Sequence, residues 1–169
     1  MTATSGDPFR VVFVCTGNIC RSPMADVVFR GLADAAGLGT RVASTSAGTG
    51  DWHVGHAPDH RSAGAAAGRG IELTGAARQV APADFESFDL ILAMDRSNHD
   101  DLLALAPHDD ARERVRLLRE YDPEAVAAGE FEVPDPYYGG DDGFEDVLDL
   151  VMRACQGLLD AEVRPRVSA

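Results

Sequence analysis

The sequence predicts a single α/β domain built on a parallel sheet of four strands. Three observations carry that expectation. Short apolar, β-branched runs alternate with segments of helical periodicity along the 169 residues, the pattern of βαβ units with right-handed crossovers. No linker, repeat or low-complexity stretch divides the chain, and its length suits one core. No apolar run approaches the roughly 20 residues that span a bilayer. The domain is therefore taken as 1–169, with short polar tails over 1–8 and from about 164 to 169.

In chain order, Val11, Val12, Phe13 and Val14 form the first strand. A tight loop from Cys15 to Arg21 follows. Ser22 and Pro23 are entry signals for a helix. Its Met24, Ala25, Val27, Val28, Leu32 and Ala35 recur at helical spacing up to Gly37, a C-cap. Residues 42–48 are β-prone and give the second strand, and residues 48–55 a loop. Residues 57–68 are Ala-rich and helical, with Pro58 in the first turn. Residues 88–94 form the third strand. A helix over 95–106, capped by Asp95 or Ser97, leads to a short fourth strand at 114–118. A long irregular stretch ends at Gly140. A final amphipathic helix, capped by Asp141 or Asp142, runs from Phe144 to about Val163.

The net charge of −13 argues against a nucleic-acid partner, which a basic face would announce. All 15 basic residues are arginine. The N-terminus lacks the apolar core of a signal peptide, so a cytoplasmic protein is expected, although release by a non-classical route stays open. Three cysteines in such a chain do not make a disulfide framework. Cys155, in the last helix, reads as a small buried hydrophobe. A structural metal site is not expected. Cys15 and Cys20 have no Cys-x2-Cys partner, and the five histidines (53, 56, 60, 99 and 108) are scattered.

The loop Cys15-Thr16-Gly17-Asn18-Ile19-Cys20-Arg21 carries the chemistry. It leaves the carboxyl end of the first strand, where parallel sheets bind ligands, and it ends at a helix N-terminus. Backbone amides from Thr16 to Arg21 can fold around an anion, helped by the helix end. Gly17 and Asn18 tolerate unusual backbone geometry. Arg21 can fork onto two phosphoryl oxygens. A helix N-terminus and an adjacent cation favour a thiolate at Cys15, and the Ser22 hydroxyl can donate to it. A second segment, Asp135-Pro136-Tyr137-Tyr138, holds a carboxyl between two prolines. There it can give a proton to a leaving oxygen and later take one from water. His53, beside Trp52, reads as an exposed loop histidine, with a contact at the rim of the site as the alternative.

The stretch from Cys15 to Pro23, joined to Asp135-Pro136-Tyr137-Tyr138, closely resembles the low-molecular-weight protein tyrosine phosphatases. Thr45-Ser46-Ala47-Gly48-Thr49, Ala77-Arg78-Gln79 and Met94-Asp95-Arg96-Ser97-Asn98 look like the same family, in the family's order. The resemblance implies sheet order 2-1-3-4 with helices on both faces. It implies Cys15 as nucleophile, Arg21 as phosphate clamp, Ser22 as thiolate stabiliser and Asp135 as general acid and then base. Asn18 and Ser46 look like the pair that braces the loop. Cys20 matches the family's second loop cysteine, able to pair reversibly with the nucleophile under oxidation. Trp52, Tyr137 and Tyr138 look like the walls of a phosphotyrosine pocket, with Ile19 disfavouring phosphoarginine. Many members carry a histidine where this chain has Gly75. No cofactor is implied. The expected partner of a monomeric enzyme is a phosphotyrosine protein, such as a bacterial tyrosine kinase or a host protein, with small aryl phosphates as substrates in vitro.

Two other classes fit these residues less well. An arsenate reductase on the same scaffold needs a relay of further cysteines, and the middle of the chain has none. A non-catalytic oxyanion-binding module needs neither Cys15 nor Asp135.

Overall fold

The computed structural model describes residues 6–137, 139–140 and 142–167. Four parallel strands lie in the order β2-β1-β3-β4, as the resemblance implies. They are β1 (Phe9–Cys15), β2 (Val42–Gly48), β3 (Leu90–Ala93) and β4 (Val115–Leu117). The chain first passes from β1 to β2 and then crosses back to β3 on the other side of β1. The carboxyl end of β1 is thus the point where the winding reverses, the usual ligand position of an open α/β sheet.

Alternation along β1 sorts the core into two layers. Val11 and Phe13 face one side, with Leu92, Met24 and Phe29. There α1 (Arg21–Ala35) and α7 (Asp142–Leu158) cover them. Val12 and Val14 face the other, with Ile91, Val115, Phe85 and Leu102, under α4 (Arg96–Leu105) and the short α3 (Asp84–Ser87). Val11, Val12, Phe13 and Val14 are all fully buried, so both faces of the strand are covered there, which explains why these four form a continuous apolar run. Cys155 lies in the first layer with no exposure, as the sequence predicts.

Several boundaries differ from the sequence reading, each for a physical reason. Ser22 is not the cap of α1. Cys20 holds that position without a side-chain cap, and the Ser22 hydroxyl is used elsewhere. The second helix, α2 (His60–Ala67), begins after Pro58 because Asp59 is its N-cap and accepts from the Arg61 amide. Asp95 caps α4, accepting from the Asn98 amide.

The stretch expected to be irregular contains a 3-10 turn, Leu118–Tyr121, and α6 (Pro123–Ala128). Asp122 caps α6, and Gly129 closes it at φ +71°. A further short helix, α5 (Asp109–Glu113), is capped by His108. The final helix does not stop near Val163. A widened π-type turn, Leu159–Val163, leads into α8 (Arg164–Val167), so the expected C-terminal tail is helical through Val167. Ion pairs Arg164–Asp160 and Arg166–Glu162, each at 2.7 Å, hold this end.

Candidate active site

The site is assembled where the β1 ladder ends. Cys15 pairs with Gly48, the last residue of β2. The sheet then gives way to loops, with the Thr49 amide on the Cys15 carbonyl and the Gly50 amide on the Thr16 carbonyl. A methyl group on Gly48 would lie 2.7 Å from the Thr16 oxygen, so glycine is required for the loop to rest here.

A cavity of about 380 Å³ opens over this point. Cys15, Arg21 and Asp135 all line it, as do Thr16, Gly17, Ile19 and Cys20 of the loop. Trp52 and Tyr137 form part of its wall. Trp52 is 69% exposed, an aromatic face left open at the mouth. Tyr138, the other expected wall, lies outside the described residues, as does Asp141.

Asn18 fixes the loop's shape. It is the one non-glycine residue with positive φ, +57°, among those described, and it is 3% exposed. Its Nδ2 donates to Ser22 Oγ at 2.8 Å and to Ser46 Oγ at 2.9 Å. Its Oδ1 accepts from the Arg78 amide at 2.9 Å. One side chain therefore ties together the loop, β2 and the segment before α3. Gly75 sits in that segment at φ +97°, beside a small cavity bordered by Asn18 and Ser46. The tie from that side is a backbone amide.

Ser22 Oγ lies 3.0 Å from Cys15 Sγ and 3.3 Å from the Ala47 carbonyl. A hydroxyl has one proton to give. With a thiolate at Cys15 it goes to sulfur, the nearer and charged acceptor. Cys20 differs. Burial, and then the charges of Asp59, Cys15 and Asp135, push its thiol up to about 12, so it is neutral at ordinary pH. All three cysteines are free thiols.

Arg21 is 2% exposed and held on three sides. Its Nη1 donates to Asp95 Oδ2 at 2.6 Å and to the Val133 carbonyl at 3.0 Å. Its Nη2 donates to Thr16 Oγ1 at 3.4 Å and lies 3.6 Å from Asp135 Oδ2. Burial opposes the charge, but Cys15, Asp95 and Asp135 outweigh it and raise the guanidinium above the ordinary arginine value. Thr16 Oγ1 also accepts from Asn98 Nδ2 at 3.0 Å.

The acid-bearing segment is anchored by Val133, fully buried, whose amide donates to the Met94 carbonyl at 2.7 Å. Asp135 is thereby set at the end of β3, beside Arg21. Its Oδ1 accepts from the Tyr137 amide at 3.0 Å, and its side chain is 39% exposed. The carboxyl is thus held in place yet open to solvent.

Sequence reasoning misses the part played by three contributors and undervalues a fourth. Asp95, expected as a helix cap within a stretch that resembles the family, also binds Arg21. Asn98 lies in a stretch noted for its resemblance, but without a role. Arg61 ion-pairs with Asp59 and faces Tyr137. His53, for which an exposed loop position is the favoured expectation and a rim contact the alternative, is half-buried and lines the cavity. It lies against the loop where a Cβ on Gly17 would meet its ring at 2.9 Å. Only the Trp52-His53 adjacency hinted at this.

Residues 10–169 match the family described as low molecular weight phosphotyrosine protein phosphatase. A low molecular weight protein-tyrosine-phosphatase of Streptomyces coelicolor is 52% identical over 159 residues, covering 94% of this chain and 96% of that protein. Among solved structures, a protein tyrosine phosphatase of Entamoeba histolytica with Hepes in its active site superposes with a TM-score of 0.85 at 35% identity. That match covers 90% of this chain and 95% of the other. YfkJ of Bacillus subtilis gives 0.83 at 38% identity, covering 91% and 94%. With this likeness spanning nearly the whole chain and the fold in common, the protein belongs to the low molecular weight phosphotyrosine protein phosphatase family.

Proposed function

We propose that this protein hydrolyses phosphotyrosine esters through a phosphocysteine. The observation that carries the reading is the convergence of the Cys15 thiol, the Arg21 guanidinium and the Asp135 carboxyl on one cavity.

Cys15, as thiolate, attacks phosphorus. The S–P bond forms as the bond from phosphorus to the phenolic oxygen breaks, and that oxygen takes the Asp135 proton. Asp135, now a carboxylate, removes a proton from the water that attacks phosphocysteine. Sulfur leaves as thiolate, and inorganic phosphate is released. Arg21 and the amides from Thr16 to Arg21 hold the charge that develops on the phosphoryl oxygens, usually the largest contribution in such sites. Ser22 stabilises the thiolate in both steps. Asn18 and Ser46 keep the loop in the shape that this binding needs.

Trp52 and Tyr137 select an aryl ester by flanking its ring, and Tyr138 is proposed to extend that wall. Ile19, 8% exposed and packed with Phe144 and Ala77, gives the pocket an apolar side that suits a phenyl ring better than a guanidinium. Cys20 is proposed as a reversible redox partner of Cys15. The arsenate alternative loses ground on the same geometry. Cys155 is fully buried, with its Sγ directed to the Ala25 carbonyl, so it cannot relay a disulfide with Cys15.

Among the described residues no helix is long and apolar enough to cross a membrane. Three free thiols suit a reducing cytoplasm, where we place the protein. The test is turnover of an aryl phosphate in the presence of chelator, abolished by Cys15→Ser. Full activity in that variant would overturn the mechanism. Substrate trapping with Asp135→Ala distinguishes a tyrosine kinase of the source cell from a host protein as the partner.

A further inference from the structure

The start of α2 touches both loops that build the pocket. The Asp59 amide donates to the Ile19 carbonyl at 2.8 Å. Ser62 Oγ, fully buried, donates to the Cys20 carbonyl at 3.1 Å. The first turn of α2 is thus bonded to the backbone of the phosphate loop. Arg61 lies between these two residues and turns the other way. Its guanidinium carbon is 5.3 Å from the centre of the Tyr137 ring and 4.8 Å from that of Phe144, within cation–π range of both.

Asp59 keeps the guanidinium in that place. Its two carboxylate oxygens accept from Arg61 Nε and Nη2, both at 3.2 Å. Asp59 is itself fixed as the cap of α2. Tyr137, under the guanidinium, donates its amide to Asp135 Oδ1, and Asp135 returns to Arg21 at 3.6 Å. The contacts therefore run from the phosphate loop to α2, through Arg61 to Tyr137, and on to the carboxyl.

We propose that Arg61 is a positioning residue for the proton donor, setting Asp135 over the leaving oxygen through the Tyr137 ring. This rests on the reading of Asp135 as general acid. Arg61 touches neither phosphate nor the sulfur in this scheme. Its effect is confined to the step in which the ester oxygen takes a proton.

That confinement makes the role measurable. A poor leaving group such as phenolate depends on protonation, whereas 4-nitrophenolate is a weak base and departs with little help. kcat/KM reports ester cleavage for both. Misplacing a catalytic group by about 1 Å can cost about 10²-fold, and general acid catalysis is worth about 10²–10⁴-fold in all. Arg61→Met is expected to lower kcat/KM for phenyl phosphate by about tenfold, part of that contribution. For 4-nitrophenyl phosphate the loss stays below about threefold, since little of the acid's contribution is at stake. Competitive inhibition by inorganic phosphate should not change. In an Asp135→Asn background, Arg61→Met should cost nothing more on either ester.

An equal loss on both esters, no loss on either, weaker phosphate inhibition, or a full further loss without Asp135 overturns the assignment. Arg61→Lys keeps the charge and the stem but not the planar fork. It takes the place of Arg61→Met if that variant does not fold, with the same selective loss expected and the same overturning results. An inert wild-type protein would overturn the phosphatase reading, and this inference with it. An active wild type with an unselective variant overturns this inference alone.

Discussion

Asp95 Oδ2 lies 2.6 Å from Arg21 Nη1, while its Oδ1 accepts from the Asn98 amide at 2.8 Å. One carboxylate thus both caps α4 and aims the guanidinium. Only one face of Arg21 is left for a ligand, since the Val133 carbonyl and Thr16 hydroxyl occupy others. A hydrogen bond to a charged group contributes about 1.5–3 kcal/mol. Asp95→Asn is expected to lower kcat/KM by about one to two orders of magnitude and to weaken inhibition by inorganic phosphate. Steady-state kinetics on an aryl phosphate measure both, and unchanged values refute the coupling.

Asn18 combines a left-handed backbone with three side-chain hydrogen bonds, and its substitutions separate the two. Asn18→Ala loses the bonds and adds about 1–2 kcal/mol of backbone strain. Asn18→Gly loses the same bonds without that strain. Both variants should bind phosphate more weakly. Alanine should show the lower denaturation midpoint, and equal midpoints would mean that the conformation stores no strain.

Acid should weaken the Asp59–Arg61 pair. Burial works against the Asp59 charge, but hydrogen bonds from the Arg61 side chain and amide outweigh it and hold the carboxyl below its usual value. The folded state therefore binds this proton less readily than the unfolded chain does. The resulting stability is fully present above the ordinary aspartate value, about 3.9. It is lost as pH falls through the lower, folded value. Asp59→Asn should lower stability near neutrality and flatten the acid limb as pH falls below the ordinary aspartate value. Urea titrations across that range test it, and parallel acid limbs in the two proteins count against it.

The three thiols should separate under alkylation. Cys20 is raised to about 12, and burial raises Cys155 further still. Iodoacetamide at neutral pH is expected to modify one thiol of the folded protein, with phosphate protecting it and Cys15→Ser abolishing the reaction. Mass spectrometry counts the adducts. A second adduct formed before unfolding contradicts this order of reactivity.

The parts of the fold legible in sequence are those with local signals. The apolar run of β1, the glycine and asparagine of its loop, and the capping Asp95 each announce themselves within a few residues. The helices α3, α5 and α6 span 4, 5 and 6 residues. That is too short for periodicity to show, and their stability comes from packing rather than propensity. The sequence predicts an end near Val163, yet the π-type turn over Leu159–Val163 and the Arg164–Asp160 and Arg166–Glu162 pairs carry the helix on to Val167. In the site, Cys15, Arg21 and Asp135 stand out as residue types with chemistry. Their holders do not. Asp95 is 74 residues from Arg21, and Arg78 is 60 from Asn18. No local pattern can reveal pairs that only the sheet brings together.

The bracing of the phosphate loop and the walls of its pocket come from different parts of the chain. Ser46 of β2, the Arg78 amide before α3, and Asp95 and Asn98 at the start of α4 reach the loop and its arginine from the side of the sheet. Trp52, His53 and Tyr137 stand on surface loops in front. A mutation at the mouth can therefore change which phosphoester enters without loosening the grip on phosphorus. A mutation at the back impairs every substrate alike. Substrate choice at Trp52 and His53 can thus change apart from the chemistry, whereas Tyr137 joins the two through its hydrogen bond to Asp135.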